Sequence, residues 1–277
     1  MLKNLLVQIP SERPIRPVVD SAISLAVSSS AHLDAISIGF ESANIGLAVD
    51  GAAAATAVFD VERERALARA TAALAVFETE ARNAGIPYSC QALTAVPVDA
   101  FATLGAMARL YDLSIVLQPD PDHTTSDNMI PTEMLFQAGG PVLFIPYTHK
   151  GAFKPRHVGI AWDGSRLAAR ALRDAAPFLA HAKSITIISV NETQNPAETS
   201  AATLVTHLAR RGFAARIESI GADHKDIQPS ILSVAADAGI DLIVMGGYGH
   251  SRLQERILGG VTRGMLQSMT VPTLMSH

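Results

Sequence analysis

The chain repeats itself. Lys3-Asn-Leu-Leu-Val-Gln-Ile9 aligns with Arg156-His-Val-Gly-Ile-Ala-Trp162 as an opening strand, and Asn83-Ala-Gly-Ile86 aligns with Arg210-Arg-Gly-Phe213 as a helix end with a glycine C-cap. Tyr111–Val116 aligns with Ile240–Met245, and Gly140–Ile145 with Thr270–Met275. Matching segments in the same order mark a tandem duplication, so the fold must be one that a single chain can build twice. The join is expected between Tyr147 and Pro155, where Lys150-Gly151 and Lys154-Pro155 punctuate a short linker. The expected domains are therefore 1–147 and 155–277.

Within each half, short β-branched runs alternate with amphipathic segments of helix length. In the second half the expected strands are 156–162, 184–190, 214–219, 241–246 and 271–276, with helices near 165–181, 198–211, 226–238 and 254–268. Strands that are apolar throughout and separated by helices indicate a parallel sheet covered on both faces. The first half follows the same order with a longer second helix, roughly 57–84. It is preceded by a Gly/Ala-rich connection, Glu41 to Ala55, read as a loop or a helix extension. Cys90 falls in a third strand, Ile86 to Leu93, and reads as a core filler.

Composition narrows the function classes. Of 277 residues, 48% are hydrophobic and 17% charged, enough apolar material for two cores. A net charge of −4 gives no electrostatic footprint for nucleic acid or an anionic membrane, so neither is expected as a partner. One cysteine allows no internal disulfide, and no stretch approaches the roughly 20 apolar residues of a membrane span. The first ten residues lack a signal-peptide pattern, and a cytoplasmic location is the expectation.

The densest motif lies near the end of the chain. Asp241-Leu-Ile-Val-Met245 reads as a buried strand running into Gly246-Gly-Tyr-Gly249. After nine intervening residues come Gly259-Gly260-Val261-Thr262, at the start of a helical segment. Glycines at a strand end and a helix start let backbone N–H groups approach an anion, and helix N-termini are natural phosphate cradles. In an open parallel sheet this position, beyond the C-terminal strand ends, is where ligands bind. A second element, Trp162-Asp163-Gly164-Ser165, closes the opening strand of the same half. That triplet after Trp162 also suits plain helix capping, and both uses stay open.

With both elements in place, residues 155–277 resemble a universal stress protein domain, and the whole chain resembles a tandem member of that family. The resemblance implies two Rossmann-like α/β domains of the adenine nucleotide alpha hydrolase type, each a five-stranded parallel sheet flanked by helices. It implies pairing of the two last strands, around Val142–Ile145 and Val271–Met275. It further implies ATP, with ADP or AMP as alternatives and Mg²⁺ left open, held between the first-strand aspartate and the glycine loop. Carried over by position, Asp163 would accept from the ribose hydroxyls, Trp162 would wall that side and Val190 would meet the adenine. Met245 and Gly246 would line base and sugar. Amides of Gly249, Gly259, Gly260 and Val261, with the Thr262 hydroxyl, would hold the phosphates. One departure is Gly260, where the family motif usually carries Ser or Thr. His250 and Arg252 could add cationic contacts.

The first half breaks the pattern. Pro10 stands where Asp163 does, Leu117 and Asp120 replace Gly246 and Gly249, and Asn128 and Met129 replace Gly259 and Gly260. A carboxylate at a phosphate position repels the ligand and prolines remove amide donors, so no nucleotide is expected there. Asp120, Asp122, His123 and Asp127 form an acidic loop read as solvated, and His149 and His157 read as exposed. Asp223 and Asp226, after the third strand of the second half, read as Mg²⁺ or polar-rim residues near the site, with helix capping by Asp223 as the alternative. No residue is singled out as catalytic and no metal centre is expected.

Three functions remain: a nucleotide-responsive stress regulator with an unknown protein partner, a ligand-free tandem scaffold, and a slow Mg²⁺-dependent ATP hydrolase. A monomeric pseudo-dimer and a homodimer fit equally.

Overall fold

The computed structural model describes residues 1–41, 52–192, 199–248 and 260–277. The first half runs β1 (Asn4–Gln8), α1 (Arg16–Ser29), β2 (His32–Phe40), α2 (Ala52–Ala84), β3 (Tyr88–Ala95), α3 (Pro97–Ala108), β4 (Leu113–Leu117), α4 (Ile130–Gln137) and β5 (Val142–Ile145). The second runs β6 (His157–Ala161), α5 (Arg166–Asp174), α6 (Ala176–Leu179), β7 (Ser184–Val190), α7 (Ala201–Arg210), β8 (Ala215–Ile220), α8 (Ile227–Asp237), β9 (Leu242–Gly246), α9 (Val261–Ser268) and β10 (Thr273–Ser276).

The strands form one ten-stranded sheet in the order β3-β2-β1-β4-β5-β10-β9-β6-β7-β8. Each half contributes five parallel strands. The halves join where β5 and β10 pair antiparallel, with Phe144 opposite Thr273, Leu143 opposite Leu274 and Val142 opposite Met275. This is the pairing the resemblance implied, and it removes two edges that would otherwise attract other strands.

Alternation along the strands builds two cores. Leu5, Val7, Leu143, Ile145, Val158, Ile160, Leu242 and Val244 face a cluster with residues of α1, α2, α5, α6 and α7. Leu6, Val116, Val142, Phe144, Ile243 and Met245 face the other, with residues of α3, α4, α8 and α9. Each cluster contains residues of both halves, so neither half has a core of its own.

The repeat extends to hydrogen bonds. Asp112 accepts from the amides of Lys3 and Asn4 at 2.7 and 2.9 Å, and Asp241 accepts from those of Arg156 and His157. Gly85 and Gly212 take positive φ of 65° and 83° at the ends of α2 and α7, as C-cap glycines do. Ile9 N–H donates to Ile36 at 2.8 Å as Trp162 N–H donates to Ile188 at 2.9 Å, which superposes Pro10 on Asp163. Gln118 N–H donates to Ile145 as Gly247 N–H donates to Ser276, which superposes Leu117 on Gly246.

Four expectations change. The helix expected over 165–181 breaks at Ala175, because Pro177 in the first turn of α6 has no amide to continue the ladder. Cys90 is exposed rather than a core filler, because β3 is an edge strand with no neighbour outside it. Its thiol is pushed up to about 11 by partial burial and then by the fields of Glu78 and Asp34. His149 is half-buried, and burial lowers its pKa. The acidic loop is not wholly solvated, since Asp127 is 1% exposed.

Candidate functional site in the second half

The strand order reverses between β9 and β6, so the second half's switch point lies between the strand ends that carry Gly246 and Asp163. Asp163 is exposed there, and its Oδ1 accepts from the Ser165 amide at 2.9 Å. Capping of α5 falls to Ser165, whose Oγ accepts from the Ala168 amide at 3.2 Å. The Asp163 carboxylate therefore shapes the turn with one oxygen, and its Oδ2 makes no bond among the described residues.

Beside the end of β9 stands the N-terminus of α9. Gly260 is its N-cap, with φ −50° and ψ 147°, and among the described residues no side chain caps the first turn. Uncapped first-turn amides carry partial positive charge and need acceptors. Thr262 is buried, and its Oγ1 accepts from the Tyr248 amide at 3.0 Å, which leaves the hydroxyl proton to donate elsewhere. Tyr248 holds a left-handed φ of 53°, uncommon for a bulky residue.

The structure brings Val190, Met245, Tyr248 and Val261 onto one apolar cluster. Trp162 lies in the cluster on the other sheet face, 7% exposed, with its indole N–H donating to the Thr199 carbonyl at 2.6 Å. Gly246 has a packing reason of its own. A Cβ there would meet the Ala168 amide nitrogen at 2.7 Å and the Leu167 carbonyl carbon at 2.8 Å, so the first turn of α5 needs a glycine. Gly249, His250, Arg252 and Gly259 lie outside the described residues.

Sequence reasoning missed a contribution from the first half. Phe136 of α4 packs on Tyr248 with ring centroids 4.7 Å apart, and on His277 at 4.9 Å. A Cβ on Gly247 would meet the Leu135 side chain at 2.8 Å. His277 Nδ1 lies 3.0 Å from the Gly247 carbonyl. Gly247 and Tyr248 are thus seated on the first half. More than a hundred residues separate Phe136 from Tyr248, and no local pattern announces the contact.

The first half's equivalent crevice is filled by its own side chains. Asp127 Oδ2 accepts from the Glu12 amide at 2.8 Å and Oδ1 from Gln8 Nε2 at 3.4 Å. Burial raises the Asp127 carboxyl to about 6, opposed by the Glu12 amide bond and the Arg13 charge. The Arg13 guanidinium is itself buried, and desolvation lowers its pKa against the fields of Asp120 and Asp127. Asn128 ties the loop to itself, accepting from the Asp120 amide at 2.9 Å and donating to the Asp120 and His123 carbonyls. Asp120 also meets His123 Nδ1 at 2.8 Å, and no cluster suited to a metal ion occurs among the described residues.

Residues 154–277 match the profile of the Universal stress protein family. The second half is a universal stress protein domain. Over 65 residues the chain is 34% identical to a universal stress protein of Methanocaldococcus jannaschii, an alignment covering 21% of this chain and 40% of that relative. Across 98% of its length it superposes on 95% of a universal stress protein from Archaeoglobus fulgidus, with a TM-score of 0.73 and 14% identity. A functionally unknown protein from Pseudomonas aeruginosa follows at TM-score 0.63 and 19% identity, with 99% and 92% of the two chains covered. At such identities the likeness establishes the fold, and it extends a universal-stress-protein-like fold to the first half as well.

Proposed function

We propose that the universal stress protein domain, residues 155–277, binds one adenine nucleotide, ATP in the first instance, and that residues 1–147 form a companion domain that binds none. The protein then works as a cytoplasmic stress-response regulator by binding rather than turnover. The observation that carries this reading is the uncapped first turn of α9 at the switch point, with the exposed Asp163 carboxylate on the neighbouring strand end. Amides there suit phosphates, and a carboxylate suits ribose hydroxyls. The resemblance assigns the phosphates to Gly249, Gly259, Gly260, Val261 and Thr262, and the base to Val190 and Met245. No described residue stands out as a general base or water-positioning group, which favours a sensor over a hydrolase. Among the described residues no helix is long and apolar enough to cross a membrane.

Regulation requires different affinity for two states. The loop seated on Phe136 through Tyr248 is the element whose position a bound nucleotide would bias, changing a surface offered to a protein partner. The test is an ATP titration of the full chain, with and without Mg²⁺, beside Asp163→Ala and Gly249→Asp. One nucleotide per chain, lost in Gly249→Asp and weakened in Asp163→Ala, is expected. No binding to the unmodified chain would end this reading. A ligand-free scaffold, favoured by the missing hydroxyl at Gly260, would then take its place.

A further inference from the structure

A cleft of about 790 Å³ lies where the entries to β1 and β6, the C-terminal ends of α1 and α6 and the linker between the halves converge. Its polar rim carries Lys3, Lys154, Arg156 and His181, all exposed. Its floor is apolar, with the buried Leu25 and Phe178 among its lining. No carboxylate lines it. Asp112 and Asp241, beside the strand entries, are engaged by the backbone amides of Lys3, Asn4, Arg156 and His157. Among the described residues Lys3, Lys154 and Arg156 have no ion-pair partner.

From this geometry we infer that the cleft is a binding site for an amphipathic organic anion, an acyl or aryl body carrying a phosphate or carboxylate. The volume is that of a small-molecule site, and a small number of polar groups over an apolar floor is the usual composition of one. Like charges lining a concave surface focus their field into it, so the cavity draws the opposite sign. The carbonyl ends of α1 and α6 oppose an anion, but each contributes only a partial charge of about half a unit, against Lys3, Lys154 and Arg156 as full cations. The occupant is not the nucleotide proposed above. The cleft opens at the start of β6 and Asp163 follows its end, so about 17 Å of strand separates the two sites.

Isothermal titration of the full chain with dodecyl phosphate, kept below its micelle concentration, tests this. One equivalent should bind, with affinity falling as salt is raised. Dodecanoate should bind in the same place, whereas inorganic phosphate and dodecyltrimethylammonium should not. The exposed pair Lys154→Gln/Arg156→Gln should weaken binding at least tenfold while keeping its unfolding midpoint. Ala180→Phe, which fills the cleft from an exposed position, should weaken it independently. Saturating ATP should leave the affinity unchanged. Equal binding by the cationic detergent, indifference to both variants, or displacement of dodecyl phosphate by ATP would each overturn the assignment. None of these outcomes depends on whether the second half binds a nucleotide.

Discussion

The two halves share a fold and a hydrogen-bond frame but treat the same crevice in opposite ways. In the second half the strand ends carry glycines, an exposed aspartate and a helix start that no described side chain caps. In the first half Pro10, Leu117 and Met129 occupy the corresponding places, and the chain supplies the partner itself. Asp127 takes the Glu12 amide, Arg13 neutralises it in part, and Asn128 closes the loop. The Asp127 carboxylate takes the Glu12 amide as the Asp163 carboxylate takes the Ser165 amide in the other half. Buried polar groups must be satisfied by something, and here the chain's own side chains do it.

The largest expected effect separates packing from ligand approach at the matched pair Gly246 and Leu117. Gly246→Ala drives a Cβ into the backbone of α5 and should destabilise the chain by about 3 kcal/mol. Leu117→Ala, the opposite change of volume at the equivalent buried position, should cost about as much through a cavity. Urea unfolding measures both. A stable Gly246→Ala chain that no longer binds ATP would mean that the glycine serves the ligand alone.

Next comes the internal plug. Asp127→Ala should cost about 2 kcal/mol, because the Glu12 amide loses its acceptor and Arg13 a counter-charge. The pH dependence has a definite sign. A carboxyl raised to about 6 binds its proton more tightly in the folded chain, so its contribution to stability is greatest below the unfolded pKa, near 3.8. That contribution is lost as pH rises to about 6, by at most about 3 kcal/mol. Asp127→Asn should flatten the unfolding free energy across that window. An unchanged profile would mean that Asp127 does not titrate there.

Smaller effects probe how one half reads the other. Phe136→Ala removes the ring under Tyr248 and should cost about 1–2 kcal/mol, and it should weaken ATP binding although it touches no ligand. Unaltered affinity would uncouple the halves. The smallest change is Gly260→Ser, which restores the hydroxyl usual in the family. It should tighten ATP binding several-fold, worth about 1 kcal/mol. A serine that leaves the titration unchanged would place the phosphates away from the start of α9.

Much of the fold was legible because its signals are local. Apolar runs such as Leu113–Leu117 and Val142–Ile145 are buried on both faces and read as strands without reference to anything else. Gly85 and Gly212 mark helix ends through their own φ. The positions of the candidate site residues were legible for the same reason: Asp163, Gly246 and Gly260 each sit at the end or start of an element. Legibility failed where burial depends on distant segments. Asp127 looks like one of several loop acids until the β1–α1 turn closes over it. Trp162 looks like a wall of the site until strand alternation sends it to the opposite face. Cys90 looks like core until the strand order puts it at an edge.

The sequence by itself determined a duplicated α/β fold, the strand and helix order of each half, and which half retains a glycine-rich crevice, because periodicity and glycine placement act over a few residues. Only the tertiary structure decided what fills the first crevice, that α4 of one half packs on Gly247 and Tyr248 of the other, and that Lys3, Lys154 and Arg156 from separated segments meet over an apolar cleft. Those outcomes depend on contacts between segments far apart in the sequence, brought together when β5 and β10 pair and the two cores become continuous.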